Sequence, residues 1–169
     1  MDMYLCSMSE SLYVDQSLSK DQKYRDLLPQ LKALIGNEKN AVANMANLSA
    51  ALKSAFNFWW VGFYLVDQDE LVLGPFQGPV ACTRLSKNKG VCAKAWQTAT
   101  TVIVPDVDQF PGHIACSGET RSEIVVPVKN TNGNVFAVLD VDSNKPDDFD
   151  SDDQQYLELI AAMLQTSVQ

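Results

Sequence analysis

Three of the four cysteines, Cys82, Cys92 and Cys116, fall in or beside stretches rich in turn-forming residues. Inert cysteines are commonly buried within regular core elements, so this placement marks the three as candidates for thiol chemistry. Cys92 opens a short helical stretch, where backbone N–H groups favour a thiolate. Cys116 sits in a long loop with Arg121 close in sequence. Either could be a nucleophile, whereas Cys6 lies in an N-terminal tail and looks incidental. His113 precedes Cys116 by three residues, so Cys82, Cys92, His113 and Cys116 could in principle hold zinc. The spacing lacks a C-x-x-C pair, so no metal is expected and His113 reads as a loop hydrogen-bonding residue.

A second constellation is acidic. Asn132-Gly133 between two β-branched runs favours a type I′ hairpin turn, because both residues tolerate positive φ. If the hairpin is symmetric about that pair, Glu123 lies opposite Asp142 and Val125 opposite Asp140, and three carboxylates share one face. Like charges facing one another in a sheet cost a few tenths to about 1 kcal/mol, so such a cluster needs a use. Binding a cation is one. Holding a carboxyl protonated as a hydrogen-bond donor is another. The competing reading is a solvated edge, or a one-residue slip that turns Glu123 to the opposite face. The period of two along the preceding aromatic strand puts Trp60, Gly62 and Tyr64 on one face. Gly62 then leaves a gap between two aromatic walls that could seat a thioether chain, unless these aromatics simply fill core.

The elements that must position these groups are legible from periodicity. Ser19 and Gln22 form a capping-box pattern. Tyr24, Leu27, Leu28, Leu31 and Leu34 then repeat at helical spacing up to Gly36, with Pro29 predicting a kink or break near residues 25–29. Val42, Met45, Leu48, Ser49, Leu52 and Phe56 mark a second helix that stops at Asn57. Residues 58–66 read as a central strand, 71–73 as its antiparallel return, and 74–79 as a break in regular structure. A short helix over 91–99, a short strand over 101–104 and a loop over 106–118 follow. The hairpin strands span 123–129 and 135–142. A last helix is opened by a Ser151/Gln154 box and buries Tyr156, Leu159, Ile160 and Met163. The order predicts an α+β fold, an antiparallel sheet with helices packed on one face. Residues 1–18 read as a tail and 19–169 as a single domain.

Composition limits the functions available. A chain of 169 residues, 46% hydrophobic, can bury one sizeable core. A net charge of −8, with thirteen scattered Lys and Arg, argues against nucleic acid and against anionic membranes as partners. With no signal-peptide pattern and no apolar run of membrane-span length, a cytoplasmic location is expected. There thiols are kept reduced, so the cysteines read as catalytic, metal-binding or inert rather than as structural disulfides.

Taken together, several segments resemble the free methionine-(R)-sulfoxide reductases. They are Asn57-Phe58-Trp59-Trp60-Val61-Gly62-Phe63-Tyr64-Leu65, Gly74-Pro75-Phe76-Gln77-Gly78, Gly90-Val91-Cys92, Gly112-His113-Ile114-Ala115-Cys116 and Leu139-Asp140-Val141-Asp142-Ser143. The match runs from about Ser19 to the C-terminal helix and includes three cysteines separated by ten and then twenty-four residues. It departs at Ala93, at Ser117 and in a hairpin loop one residue longer. The resemblance implies a GAF-like fold and thioredoxin-dependent reduction of free L-methionine (R)-S-oxide to L-methionine, with no cofactor. It implies Cys116 as the catalytic cysteine, Cys82 or Cys92 as the resolving one, and a substrate pocket of Trp60, Tyr64, Glu123, Asp140 and Asp142. An amino acid carrying an S=O group suits both uses of the acids. A homodimer is compatible with this reading, and the alternative is a non-catalytic GAF module that senses a small ligand.

Overall fold

The computed structural model describes residues 12–114 and 116–165, so Cys6 lies outside the described residues. Helices α1 (Lys20–Ile35) and α2 (Ala41–Phe56) lead into strands β1 (Trp60–Asp67), β2 (Glu70–Gln77) and β3 (Arg84–Ser86). Helix α3 (Val91–Thr98), strands β4 (Val102–Val104), β5 (Ser122–Lys129) and β6 (Val135–Ser143), and helix α4 (Ser151–Ala162) complete the order. The six strands form one antiparallel sheet in the order β3-β2-β1-β6-β5-β4. The predicted α+β architecture is the one observed.

The helices do not all lie on one face. Tyr24, Leu27 and Leu31 of α1, Met45, Leu48 and Leu52 of α2, and Leu157 and Ile160 of α4 pack on Val61, Phe63, Ile124, Val126, Leu139 and Val141. The alternate residues of the same strands, Trp60, Tyr64, Val125 and Val138, face the other way and meet Val91, Cys92 and Ala95 of α3. The strand period of two thus separates an apolar face under three helices from a second face under α3 and the cysteine loops. Leu12 and Val14 also pack against the first core.

Several local readings are corrected. Helix α1 runs unbroken through Pro29, which sits on the exposed side, where water can serve the carbonyl that loses its donor. Strand β2 continues through Gly74 and Pro75 to Gln77 instead of breaking at 74. The ladder with β1 shifts register between Gly62 and Tyr64, and a bulge is where a sheet accepts proline. Helix α4 is capped by Asp150, whose carboxylate accepts from the Asp152 and Asp153 N–H groups, and its capping box pairs Asp150 with Asp153, not Ser151 with Gln154. Leu159 and Val42 are exposed, while Leu157 takes the buried place.

The hairpin that sets the acid register also differs from its prediction. Gly133 has φ 82° but Asn132 is not in the left-handed region, so the turn is not type I′. Instead Gly133 N–H donates to Asn130 O (2.9 Å) and Asn130 N–H to Asn134 O (2.9 Å), a three-residue loop with glycine at its left-handed position. A register shift between Val128 and Lys129 absorbs the extra residue. Inward of it the pairing is the predicted one, Val125 with Asp140 and Glu123 with Asp142.

Candidate active site

The central strands bring the acids together. Trp60 on β1 pairs with Asp142 on β6, and Gly62 pairs with Asp140. Asp142 also pairs with Glu123 on β5. All three carboxyls line one cleft of about 550 Å³, part of it open to solvent, together with Trp60, Tyr64, Cys92, His113, Cys116 and Thr120. The reading as a solvated edge is excluded, since Glu123 and Asp140 are only 5% and 7% exposed.

Burial and proximity act on these acids in the same direction. Desolvation, and then the neighbouring Asp142 charge, push Glu123 well above the usual carboxylate range. Desolvation and then Glu123 do the same to Asp140, and desolvation and then Asp140 to Asp142. Asp140 shares hydrogen bonds with the Cys92 thiol and with Glu123, yet its Oδ1 has no partner among the described residues. His113 Nε2 lies 3.5 Å from Glu123 Oε2. Burial holds the imidazole below its ordinary value and lifts the Glu123 carboxyl above its own, so both shifts disfavour an ion pair here.

The three described cysteines divide into a pair and a single thiol. Cys82, in the β2–β3 connection, and Cys116, in the loop after β4, are joined in a disulfide with Cα atoms 5.5 Å apart. A Cys₃His zinc set is therefore not assembled. Cys92 is free and buried at the first turn of α3. The predicted thiolate does not form there: desolvation, with Asp140 and Glu123 beside it, drives the thiol well above its ordinary value. At this depth, burial among carboxylates outweighs the helix N-terminus.

The aromatic wall is present but its slot is closed. A Cβ on Gly62 would come within 2.7 Å of the Trp60 ring and closer still to the Phe76 Cβ, so the gap holds the Trp60 ring and the base of Phe76 and not a ligand chain. Trp60 stacks on Phe76 (5.3 Å between centroids) and donates its indole N–H to Pro79 O (3.1 Å). Tyr64 donates its hydroxyl to Cys82 O (3.0 Å), which fixes the backbone of one of the two disulfide-bonded cysteines. Arg121 serves the loop and not the Cys116 sulfur: its guanidinium donates to Gly118 O (3.1 Å) and Thr120 O (3.2 Å).

Two loop residues escaped sequence reasoning. Thr120 is buried in the cleft and hydrogen-bonds Asp142, and Ser117 Oγ accepts from the Trp59 indole N–H at 3.4 Å. Both lie where the chain follows no period, so no spacing signal marks them.

The model of the GAF domain family matches residues 46–166. GAF domain-containing protein A of Dictyostelium discoideum is 55% identical over 158 residues, 93% of this chain and 99% of the relative. The free methionine-R-sulfoxide reductase of Saccharomyces cerevisiae is 40% identical over 159 residues, 89% of this chain and 88% of the relative. The X-ray structure of free methionine-R-sulfoxide reductase from Neisseria meningitidis in complex with its substrate superposes with a TM-score of 0.89 at 48% identity, covering 93% of this chain and 94% of that one. This chain belongs to the GAF-domain free methionine-R-sulfoxide reductase family. In this member of the reductase family, Cys116, bonded to Cys82, and three carboxyls held above their usual range share one cleft, on the sheet face that α1, α2 and α4 leave uncovered.

Proposed function

We propose that the protein reduces free L-methionine (R)-S-oxide to L-methionine, with Cys116 as nucleophile, Cys82 as resolving cysteine and thioredoxin as reductant. One observation carries the reading: Cys116, bonded to Cys82, lines the same cleft as Glu123, Asp140 and Asp142. An ionised member of the acid cluster would hold the substrate ammonium. A protonated member would donate to the sulfoxide oxygen and make the sulfur more electrophilic. The Cys116 thiolate attacks that sulfur; with one proton taken up, oxygen passes to the cysteine, methionine leaves, and Cys116 becomes a sulfenic acid. The Cys82 thiol condenses with the sulfenic acid, forming the disulfide and releasing water. Two thiols of thioredoxin then return both cysteines to the reduced state by exchange. Buried Cys92, protonated beside Asp140, suits a role in tuning the acids or as a reserve thiol. The chemistry needs no cofactor, and a homodimer is compatible with it because every group comes from one chain. A cytoplasmic location fits a disulfide cycled by thioredoxin, and among the described residues no helix is long and apolar enough to cross a membrane.

NADPH consumption coupled through thioredoxin tests the reading. Free methionine-(R)-sulfoxide should be turned over by the wild type and not by Cys116→Ser, with the thermal midpoint of the variant close to wild type. Methionine sulfoxide inside a peptide, lacking the α-ammonium, should be a poor substrate. Full activity in Cys116→Ser would overturn the nucleophile, and equal use of the peptide would overturn the acidic pocket.

A further inference from the structure

We propose that the floor of the cleft also binds a thiophilic divalent cation such as Zn²⁺ through Cys92, Glu123 and Asp140, and that the bound ion blocks the enzyme. One ligand atom from each of the three lies within 4.8 Å of the other two. Two donors on one tetrahedral zinc are roughly 3.5 Å apart, from bond lengths of about 2.0–2.3 Å, so closing the set takes shifts of about 1 Å. All three residues are buried, and Asp140, which lines the cleft, carries an Oδ1 with no partner among the described residues. An unsatisfied buried carboxylate oxygen is costly, and a cation is what would satisfy it.

The ligand set is selective. A thiolate with two carboxylates suits Zn²⁺, Co²⁺ or Cd²⁺ and disfavours Mg²⁺ and Ca²⁺, which take oxygen ligands. The Cys92 proton, and any on the two carboxyls, leaves to solvent as the ion binds. Three protein ligands leave a fourth position for water from the open side of the cleft. His113 Nε2, 3.5 Å from Glu123 Oε2, is placed to orient that ligand from outside the set. Such an ion is an inhibitor and not a resident cofactor, because it occupies the acids assigned to the substrate. That blocking step rests on the function proposed above, while binding itself does not.

The test uses the oxidised enzyme with Cys6→Ser, its single Cys82–Cys116 disulfide checked by mass spectrometry, so that Cys92 is the remaining thiol. Titration with Co²⁺ should produce a thiolate-to-cobalt charge-transfer band, which Zn²⁺ abolishes and Mg²⁺ does not. Cys92→Ser should remove the band, and Asp140→Asn should weaken Zn²⁺ binding at least tenfold by calorimetry. A band that is absent, survives Cys92→Ser, or appears only after reduction of Cys82 and Cys116 overturns the site. In the reduced enzyme Zn²⁺ should compete with methionine sulfoxide. Binding in the oxidised form without such competition overturns the blocking step and, separately, the assignment of these acids to the substrate.

Discussion

The two faces of the sheet each bury an aspartate and treat it in opposite ways. On the helix-covered face Asp153 is fully buried but completely partnered. It accepts from the Tyr24 hydroxyl (2.9 Å), from Lys20 Nζ (2.5 Å) and from the Asp150 N–H (2.9 Å). Burial still lifts Asp153 above the usual carboxylate range, while Lys20, partly in water, is held above its ordinary value because Asp153 and Asp150 outweigh its own desolvation. On the cleft face Asp140 has two acidic neighbours and, among the described residues, no cationic partner and no donor to its Oδ1. One face solves the cost of burying a carboxyl and gains a link between α1 and α4. The other leaves the cost standing, which is the mark of a site that awaits a ligand.

Substitutions on the two faces should separate these roles. The largest effect is expected in Glu123→Gln and Asp142→Asn, where kcat/KM for methionine sulfoxide should fall on the order of 10²-fold or more, measured in the thioredoxin-coupled assay at unchanged fold. A change under twofold in both would remove the cleft acids from the chemistry. Next, Asp153→Ala leaves the Tyr24 hydroxyl buried without an acceptor and Lys20 without its partner, and should cost about 2–4 kcal/mol by urea denaturation. The catalytic constant of the folded fraction should be preserved.

Neutralising a cleft acid should instead raise stability. A carboxyl raised in the folded state contributes stability in its protonated form, present below the unfolded value of about 4 and lost as pH rises through the raised value. Asp140→Asn should therefore match wild type near pH 4 and be the more stable of the two near pH 7, a thermal-melt comparison across pH. Equal differences at both pH values would break the contrast between the faces. Smallest is Gly133→Ala, which forces a side chain into positive φ with open space around it, and should cost about 1 kcal/mol with kcat/KM unchanged.

The acid register was legible for an imperfect reason. A symmetric two-residue turn predicted Glu123 opposite Asp142, and a three-residue turn with a compensating bulge delivers the same pairing. The requirement that Ile124, Val126, Leu139 and Val141 all reach the apolar core restores the register, since a one-residue slip would turn those of the slipped strand to the cleft face. Turn chemistry was a weaker constraint than burial. The Gly62 slot failed for the converse reason: its contents come from Phe76 on a neighbouring strand, whose register depends on the bulge at Gly74-Pro75.

What the chain order settles alone is local and periodic. The Ser19/Gln22 capping box, apolar spacing and the alternation along β1, β5 and β6 define the helices, the strands and the face on which the acids lie. The tertiary structure decides which cysteines meet, that Cys92 is a buried protonated thiol, and that Arg121 holds a loop instead of a sulfur. Those outcomes depend on loops that follow no repeat and on the dielectric each group experiences once neighbours distant in sequence exclude water, quantities that no spacing along the chain encodes.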